Sequence, residues 1–250
     1  MNRLGWLLLA LGMFAHAAMA AEVKLALHFS DSAPGTTLPV GWTPLATSHH
    51  KRQASVALAS DGATTVLHID ADRSAGAIVH VLDMPAATVL QWRWKIDHSI
   101  AAADLSRKSG DDFAARVYVF FDVPKSELSL GERLKLKLAR SVMGEDLPRA
   151  ALCYVWDNHH PIGTIAPNAF YGSVRTIVLQ SGDAHASQWQ TQRRDLAADF
   201  RTAFGHAAPK VTGVALGTDT DNTGSRANAW FGDLLFMPAA STATAQEPIR

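Results

Sequence analysis

The stretch VLQWRWKID, residues 89–97, alternates bulky apolar side chains with polar or charged ones. Successive side chains of an extended chain point to opposite faces, so each set lies on a face of its own. The apolar set is Leu90, Trp92, Trp94 and Ile96, and the polar set is Gln91, Arg93, Lys95 and Asp97. The stretch therefore predicts a strand with one face in a core and the other towards solvent.

The same kind of pattern recurs on both sides of this strand. Eight further segments either alternate apolar and polar residues or run apolar between turn residues, which is typical of strands. These segments are residues 54–59, 64–70, 77–82, 114–122, 151–157, 174–180, 211–218 and 228–236.

Two segments have helical spacing instead. In residues 129–144 the first turn has the spacing of a capping box and apolar residues recur every fourth position, although its LKLKL core would also suit a strand. In residues 195–205, Leu196, Phe200 and Phe204 form one apolar stripe that ends at a glycine. We predict one or two short inserted helices.

Strands without a repeating strand-helix unit indicate antiparallel sheets, because a parallel sheet needs a crossover helix at nearly every step. We predict an all-β fold, an antiparallel two-sheet jelly-roll-like β-sandwich that forms a single domain over residues 21–238. The small and polar residues 239–250 predict a disordered tail.

The first twenty residues have the pattern of a secretion signal. One arginine precedes an apolar run, and Ala18-Met19-Ala20 offers a small-x-small cleavage site. The run is shorter than the roughly 20 apolar residues that span a bilayer. We predict a signal peptide over residues 1–20, a periplasmic or secreted mature protein, and no membrane anchor after cleavage.

Charge and cysteine content narrow the classes of partner. Lysine plus arginine and aspartate plus glutamate both number 23, so the chain has no net charge that would attract nucleic acid, and we expect no nucleic-acid partner. We also expect the protein to be a monomer. The one cysteine, Cys153, excludes an intrachain disulfide. Its place in ALCYVW predicts a buried small hydrophobic residue rather than a nucleophile.

Several blocks of sequence occur together, namely LQWRWKID, DDFAARVYVFFD, LCYVWDN with IGT and APNAF, RRDLAADFRTAFG, and VTGVALGTDTDNTGSRANAWFGDLLF. As a set they resemble domain-of-unknown-function family 3047, a family of exported bacterial proteins, over roughly residues 29–236. The resemblance implies no particular activity and no catalytic residues. A looser likeness is to carbohydrate-binding jelly rolls, in which a late strand is followed by an Asp-rich turn and a closing strand.

The loop GTDTDNTG, residues 217–224, offers Asp219, Asp221 and Asn222 as candidate ligands for a structural calcium ion. It departs from the EF-hand template, since Thr223 and Trp230 stand where that template needs acidic residues. A sandwich-type site would take further ligands from a second loop, with Asp111, Asp112, Asp157 and Asn158 as the candidates. The alternative is a plain turn, because Asp, Asn, Thr and Gly all favour turns.

A predicted ligand-binding face combines basic and aromatic side chains from three strands. Its residues are Arg93, Lys95, Arg116, Tyr118, Tyr154 and Trp156. If these strands adjoin, the face suits an oligosaccharide, because sugars stack on aromatic rings and accept hydrogen bonds from Arg and Lys. The alternative is ordinary solvent exposure of the basic residues, with Tyr and Trp completing the core.

Catalytic signatures are weaker. No G-x-S-x-G or H-E-x-x-H motif occurs, and Asp111, Asp112, Asp157 and His159 are the acid and base candidates for a polysaccharide hydrolase or lyase. Neighbours on an extended segment point apart, so Asp111 and Asp112 do not form one facing pair. The favoured function is a non-catalytic exported module that binds a glycan or other extended polar ligand. The alternatives are a polysaccharide-active enzyme and an envelope structural or assembly protein.

Overall fold

The computed structural model describes residues 23–45, 52–123 and 150–239. Within these ranges the chain forms fourteen strands, one α-helix and a short 3-10 helix at Lys108–Gly110. The elements are β1 Leu25–Leu27, β2 Trp42–Pro44, β3 Ser55–Asp61, β4 Thr64–Asp72, β5 Ala75–Met84, β6 Thr88–Ile96, β7 Phe113–Phe121, β8 Ala150–Asp157, β9 Ile165–Pro167, β10 Val174–Ser181, β11 Gln190–Asp195, α1 Leu196–Phe204, β12 Val211–Asp219, β13 Arg226–Phe231 and β14 Leu234–Pro238.

The strands form two sheets. Sheet A has the order β1-β14-β6-β13-β4-β3, with β11 on the other edge of β6, and sheet B has the order β2-β5-β12-β7-β8-β10-β9. Paired strands are antiparallel apart from β8 and β10, which run parallel. The predicted jelly-roll-like β-sandwich is confirmed, with this one parallel pair as an exception to its antiparallel character.

Strand β6, the stretch that alternates so clearly, lies at the centre of sheet A. Its first half pairs with β14 and its second half with β13, while β11 pairs along the opposite edge. Residues 228–236 were predicted as one strand, but Gly232 and Asp233 divide them into β13 and β14. Glycine suits the position of this break, because a Cβ at Gly232 would come within 2.6 Å of the Arg93 side chain.

The core lies between the sheets and is rich in large aromatic rings. Trp92 and Trp94 of β6 meet Tyr154 and Trp156 of β8, with ring centroids 5.4 Å apart for the first pair and 6.0 Å for the second. All four side chains are buried. The apolar face predicted for residues 89–97 is therefore the inner face of sheet A.

Helix α1 has the ends that its sequence predicts. The Asp195 carboxylate accepts a hydrogen bond from the Ala198 amide at 3.0 Å, and Gly205 closes the helix with φ at 82°. A left-handed residue at this position favours glycine. Phe200 packs on Phe121 with ring centroids 4.6 Å apart, which fixes the helix against sheet B.

Other parts of the sequence-based description were missed or lie elsewhere. Strands β1, β2, β9 and β11 were not predicted, since three of them have only three residues and β11, QTQRRD, carries no apolar side chain. The predicted signal peptide, the predicted helix of residues 129–144 and the predicted tail beyond residue 239 fall outside the described residues. Within the described ranges, no helix is both long and apolar enough to cross a bilayer.

A second, smaller apolar cluster lies on the outer side of sheet B. It contains Leu105, Phe113, Cys153, Val155 and Val178, with Tyr118, Ala166 and Val174 packed against it. Cys153 is buried there, as its sequence context predicts, and burial raises the pKa of its thiol to about 12. Loop residues thus cover sheet B over β7 and β8.

Candidate functional site

The predicted ligand-binding face is wrong as a single surface. Arg93 and Lys95 lie on β6 in sheet A, whereas Arg116 and Tyr118 lie on β7 in sheet B. The core of the sandwich separates the two sets. A ligand cannot touch both at once.

Tyr154 and Trp156 need a further correction, because both point into the core. In the β7 and β8 pairing, Tyr154 lies opposite Val117 and Trp156 opposite Ala115, and these partners face inward. The Tyr154 hydroxyl donates to the Asp199 carboxylate at 2.7 Å, and the Trp156 indole donates to the Gly182 carbonyl at 2.9 Å. Their polar tips are satisfied inside the protein, so neither side chain is offered to a ligand.

Arg116 also belongs to the protein interior. Its side chain is 5% exposed, and its guanidinium donates to the Asp111 backbone carbonyl and to the Tyr118 hydroxyl at 3.0 Å. The same group lies 3.3 Å from an Asp219 carboxylate oxygen and above the Phe113 ring. Arg116 therefore ties the loop before β7 to the end of β12.

The predicted calcium loop does bring carboxylates together. Oxygen atoms of Asp112, Asp219 and Asp221 all lie within 4.8 Å of one another. Asp112 comes from the loop before β7, one of the two places from which the sequence offered completing ligands. Asp157 belongs to a different group, and the Asn158 amide donates to backbone carbonyls of Ala101 and Ala103.

Asn222 and Thr223 bind the Asp112 carboxylate. Its backbone amide and its side-chain amide both donate to Asp112 Oδ1 at 3.2 Å, and Thr223 donates to Asp112 Oδ2 through its amide at 2.7 Å and its hydroxyl at 2.6 Å. The turn is thus built around a buried carboxylate. The loop is a strand connection and an acidic cluster at the same time.

The acidic cluster is electrostatically crowded. Burial raises the pKa of Asp219 to about 8, and the neighbouring Asp221 and Asp112 add to the rise while Arg116 opposes it. Asp111 lies apart from the cluster, since the Asn168 amide donates to both of its oxygens at 3.1 Å. As predicted from their adjacency, Asp111 and Asp112 serve different partners and form no facing pair.

The outer face of sheet A carries what remains of the predicted face, joined by aromatic side chains that sequence reasoning missed. Lys95 Nζ lies 4.9 Å from the Trp189 ring centroid and 5.0 Å from that of Trp230, and the Arg93 guanidinium lies 4.3 Å from Trp189. His68 stacks on Trp230 at 4.9 Å. We call His68, Arg93, Lys95, Trp189 and Trp230 the aromatic-basic face.

The strand pairings explain why these five side chains meet. Trp230 of β13 lies opposite His68 of β4 on one edge and opposite Lys95 of β6 on the other. Trp189 stands just before β11, which pairs with β6. Trp230 was visible as the outward member of its strand, flanked by the inward Ala229 and Phe231, but nothing in the sequence marks Trp189 as its neighbour.

Asp61 holds the aromatic-basic face in place. It accepts hydrogen bonds from Lys95 Nζ at 3.1 Å and from the Trp189 indole at 2.8 Å. Burial raises the pKa of Asp61, but these hydrogen bonds outweigh it and leave the pKa below its ordinary value. The cation and the indole are therefore positioned before any ligand arrives.

A shallow depression of about 430 Å³ adjoins this face and shares Arg93 with it. Its lining combines apolar atoms with hydrogen-bond donors and hydrogen-bond acceptors. The lining residues are His28, Thr64, Gln91, Trp92, Arg93, Thr191, Asp233 and Leu235.

The fold and these surfaces define a jelly-roll-like β-sandwich with an exposed aromatic and basic sheet face. The chain belongs to the family described as Protein of unknown function (DUF3047), whose model matches residues 40–235. This confirms the resemblance found in the sequence. No curated protein matches the chain well enough to count as a relative.

Solved structures with similar architecture include carbohydrate-active and carbohydrate-binding domains. The xyloglucanase domain of NopAA from Sinorhizobium fredii, solved with cellobiose, is 7% identical with a TM-score of 0.43, and the match covers 82% of this chain and 97% of that one. The carbohydrate recognition domain of Emp47p is 14% identical with a TM-score of 0.43, and the match covers 85% and 94%.

A third match is partial. The glycoside hydrolase domain of Endo-D from Streptococcus pneumoniae R6 is 10% identical with a TM-score of 0.32, over 83% of this chain and 22% of that one. The chain therefore spans about a fifth of that protein's solved length. At these TM-scores the similarities carry no argument about what this chain binds.

Proposed function

We propose that this protein is a non-catalytic module that binds a glycan or another extended polar ligand on the aromatic-basic face of sheet A. The observation that carries the proposal is the row formed by Trp189 just before β11, Lys95 of β6 and Trp230 of β13, with both indoles half-buried. Sugar rings stack on aromatic faces, and their hydroxyls accept hydrogen bonds from cationic side chains. The ligand would lie across the strands.

Preorganisation supports this assignment. Asp61 already orients both Lys95 and Trp189, so ligand binding does not have to order two long side chains. Ordering a flexible side chain costs about 0.5–1.5 kcal/mol at an interface. By contrast, the acid and base candidates Asp111 and Asp112 are occupied by Arg116, Asn168, Asn222 and Thr223, which favours a binding role over a catalytic one.

The test is affinity electrophoresis of the protein through gels that contain soluble polysaccharides, neutral and acidic, followed by titration of each one that retards it. We expect Trp230→Ala and Trp189→Ala each to weaken binding about tenfold, which corresponds to about 1.4 kcal/mol for a lost aromatic contact. Phe170→Ala is the matched control, because Phe170 is an exposed aromatic residue on the loop that follows β9.

Two outcomes would overturn the proposal. Unchanged binding in both tryptophan variants would remove the aromatic-basic face as the ligand site. Release of reducing ends or unsaturated sugars from a retained polysaccharide would place the protein among enzymes, and loss of that release in Asp157→Asn would then identify a catalytic carboxylate.

We also propose that the protein is exported and acts in the periplasm or outside the cell. The support is the signal-peptide pattern of residues 1–20. Amino-terminal sequencing of the protein from periplasmic and culture fractions should read AEVKL, which begins at Ala21. An uncleaved amino terminus in the cell pellet alone would contradict export by this route.

A further inference from the structure

A second cluster of metal-ligating side chains lies on the loop that follows β8. Asp157, His159 and His160 each place one potential ligand atom within 4.8 Å of the others. The loop is anchored to the segment before β7, since the Asn158 side-chain amide donates to the carbonyls of Ala101 at 3.1 Å and Ala103 at 2.9 Å. The three side chains are therefore held together by the fold and not only by their closeness in sequence.

Asp157 supplies an independent observation that points to a ligand. Its side chain is 0% exposed, and its Oδ1 accepts hydrogen bonds from the amides of His159 and His160 at 2.8 and 2.7 Å. Its Oδ2 is also buried but has no hydrogen-bond partner among the residues that the structure describes. A buried carboxylate with an unpartnered oxygen is costly, so the Asp157 carboxylate would be stabilised by a cation beside it.

The contacts of His159 indicate which of its ring nitrogens is available to a metal ion. His159 Nδ1 lies 2.7 Å from Asn158 Oδ1, and the anchored amide of Asn158 fixes that oxygen as an acceptor, so His159 Nδ1 carries the proton. The lone pair of His159 is then on Nε2. A hydrogen bond from the second ring nitrogen to a neighbouring group is the usual support of a metal-bound histidine.

The spacing also fits a small tetrahedral ion. His160 Nδ1 lies 3.1 Å from Asp157 Oδ1. Two ligand atoms at zinc-ligand distances from a tetrahedral ion are about 3.4 Å apart. The His159 and His160 rings lie side by side with centroids 4.1 Å apart, and His159 is exposed, so a cation can enter from solvent.

We propose that Asp157, His159 and His160 bind a divalent transition-metal ion of the zinc type, with a water molecule in the fourth position. Two imidazoles and one carboxylate suit Zn²⁺, Cu²⁺ and Ni²⁺ and disfavour Ca²⁺ and Mg²⁺, which take oxygen ligands. The cluster of Asp112, Asp219 and Asp221 contains oxygen ligands alone, so the two clusters differ in the metal that each would select.

The decisive experiment is isothermal titration calorimetry of ZnCl₂ into the tag-free full chain after treatment with EDTA, at pH 7. We expect one saturable site in the wild type. His160→Ala and His159→Ala should each weaken binding at least about tenfold, which is the lower end of the effect of losing a group that supports a metal ligand. Excess CaCl₂ should not displace the zinc.

His185→Ala is the matched control, because His185 is exposed on another loop and belongs to no cluster of ligating side chains among the described residues. It should bind Zn²⁺ like the wild type. Substitution of Co²⁺ gives a second readout, a visible absorption band that is lost in His160→Ala.

Absence of saturable zinc binding in the wild type would overturn the proposal. Equal affinity in His160→Ala and the wild type would overturn it as well, since other histidines would then hold the ion. Both decisive variants change side chains that are partly or fully exposed, so they should fold, and circular dichroism of each variant checks that they do. The outcome is independent of whether the aromatic-basic face binds a glycan.

Discussion

The outer faces of the two sheets began from similar sequence patterns and ended in opposite environments. Strand β6 offers Arg93 and Lys95 on its polar side, and β7 offers Arg116 and Tyr118 on its own. On sheet A the cations remain partly exposed beside Trp189 and Trp230, while on sheet B loop residues cover the strands and Arg116 is buried. A polar residue at the outward position of a strand therefore does not establish that the face is open.

The cover over sheet B decides this difference. Leu105 comes from the segment before β7 and Phe113 from the first position of β7, and both pack with Cys153 and Val155 of β8. An arginine beneath such a cover needs buried partners, and Asp111, Tyr118 and Asp219 provide them. On sheet A, the corresponding partner is Asp61, which accepts hydrogen bonds from Lys95 and Trp189 while Trp189 stays half-buried.

The difference between the two environments is tested most directly by removing one tryptophan from each. Trp156→Ala should lower the free energy of unfolding by about 3–5 kcal/mol, because it opens a cavity in the core. Trp230→Ala on the outer face of sheet A should lower it by no more than about 1 kcal/mol. Urea unfolding monitored by circular dichroism measures both, and equal losses would mean that Trp230 is a core residue.

The basic residues give the next largest contrast. Arg116→Ala leaves Asp111 and Asp219 without their buried cation and should cost about 3 kcal/mol or more. Arg93→Ala should cost at most about 1 kcal/mol, since it removes a partly exposed cation from the Trp189 ring. Unfolding of the two variants in urea at pH 7 is the measurement, with Arg73→Ala as an exposed control. A small effect of Arg116→Ala would refute its structural role.

The acidic cluster predicts that the stability of the protein falls as the pH rises. The pKa of Asp219 is about 8 in the folded protein against an ordinary value of 3.8, so the folded state holds a proton that the unfolded state releases. This contribution to stability is fully present below about pH 4 and is lost as the pH rises towards 8. Asp219→Asn should therefore flatten the fall in unfolding free energy between pH 5 and pH 8.

The calcium ion that residues 219–222 suggest stays a prediction, and thermal unfolding with and without Ca²⁺ can test it. If Ca²⁺ binds here it replaces the proton on Asp219, so millimolar Ca²⁺ should raise the melting temperature of the EDTA-treated protein more at pH 8 than at pH 5. The rise should disappear in Asp221→Ala. No shift at either pH would leave the loop as a turn built around Asp112.

Local sequence patterns predicted much of the fold correctly, but they failed for particular residues. Alternation in residues 89–97 identified β6 and its inner face correctly, because one side of that strand meets the core and the other meets solvent. All eight residues of β8 are buried, so its pattern contains no signal for which side is inner. Tyr154 and Trp156 were misplaced for that reason.

The candidate sites divide in the same way. The pairing of Asp112 with the loop of Asp219 and Asp221 was within reach, since both segments flank strands and carry oxygen ligands. Trp189 and Lys95 are brought together only by the pairing of β11 with β6, and β11 has no apolar periodicity to reveal it. Asp157, His159 and His160 were each visible, but the burial of Asp157 that makes them a metal-site candidate was not.

The sequence by itself determined the strand-rich sandwich, helix α1 with both of its ends, the buried Cys153 and the membership of the family, because each of these depends on residues close together in the chain or on the order of short sequence blocks along it. Only the tertiary structure decided which polar side chains are open to a ligand. That outcome depends on strand order and on the loops that cover sheet B, and these join residues about a hundred positions apart, such as Arg116 and Asp219.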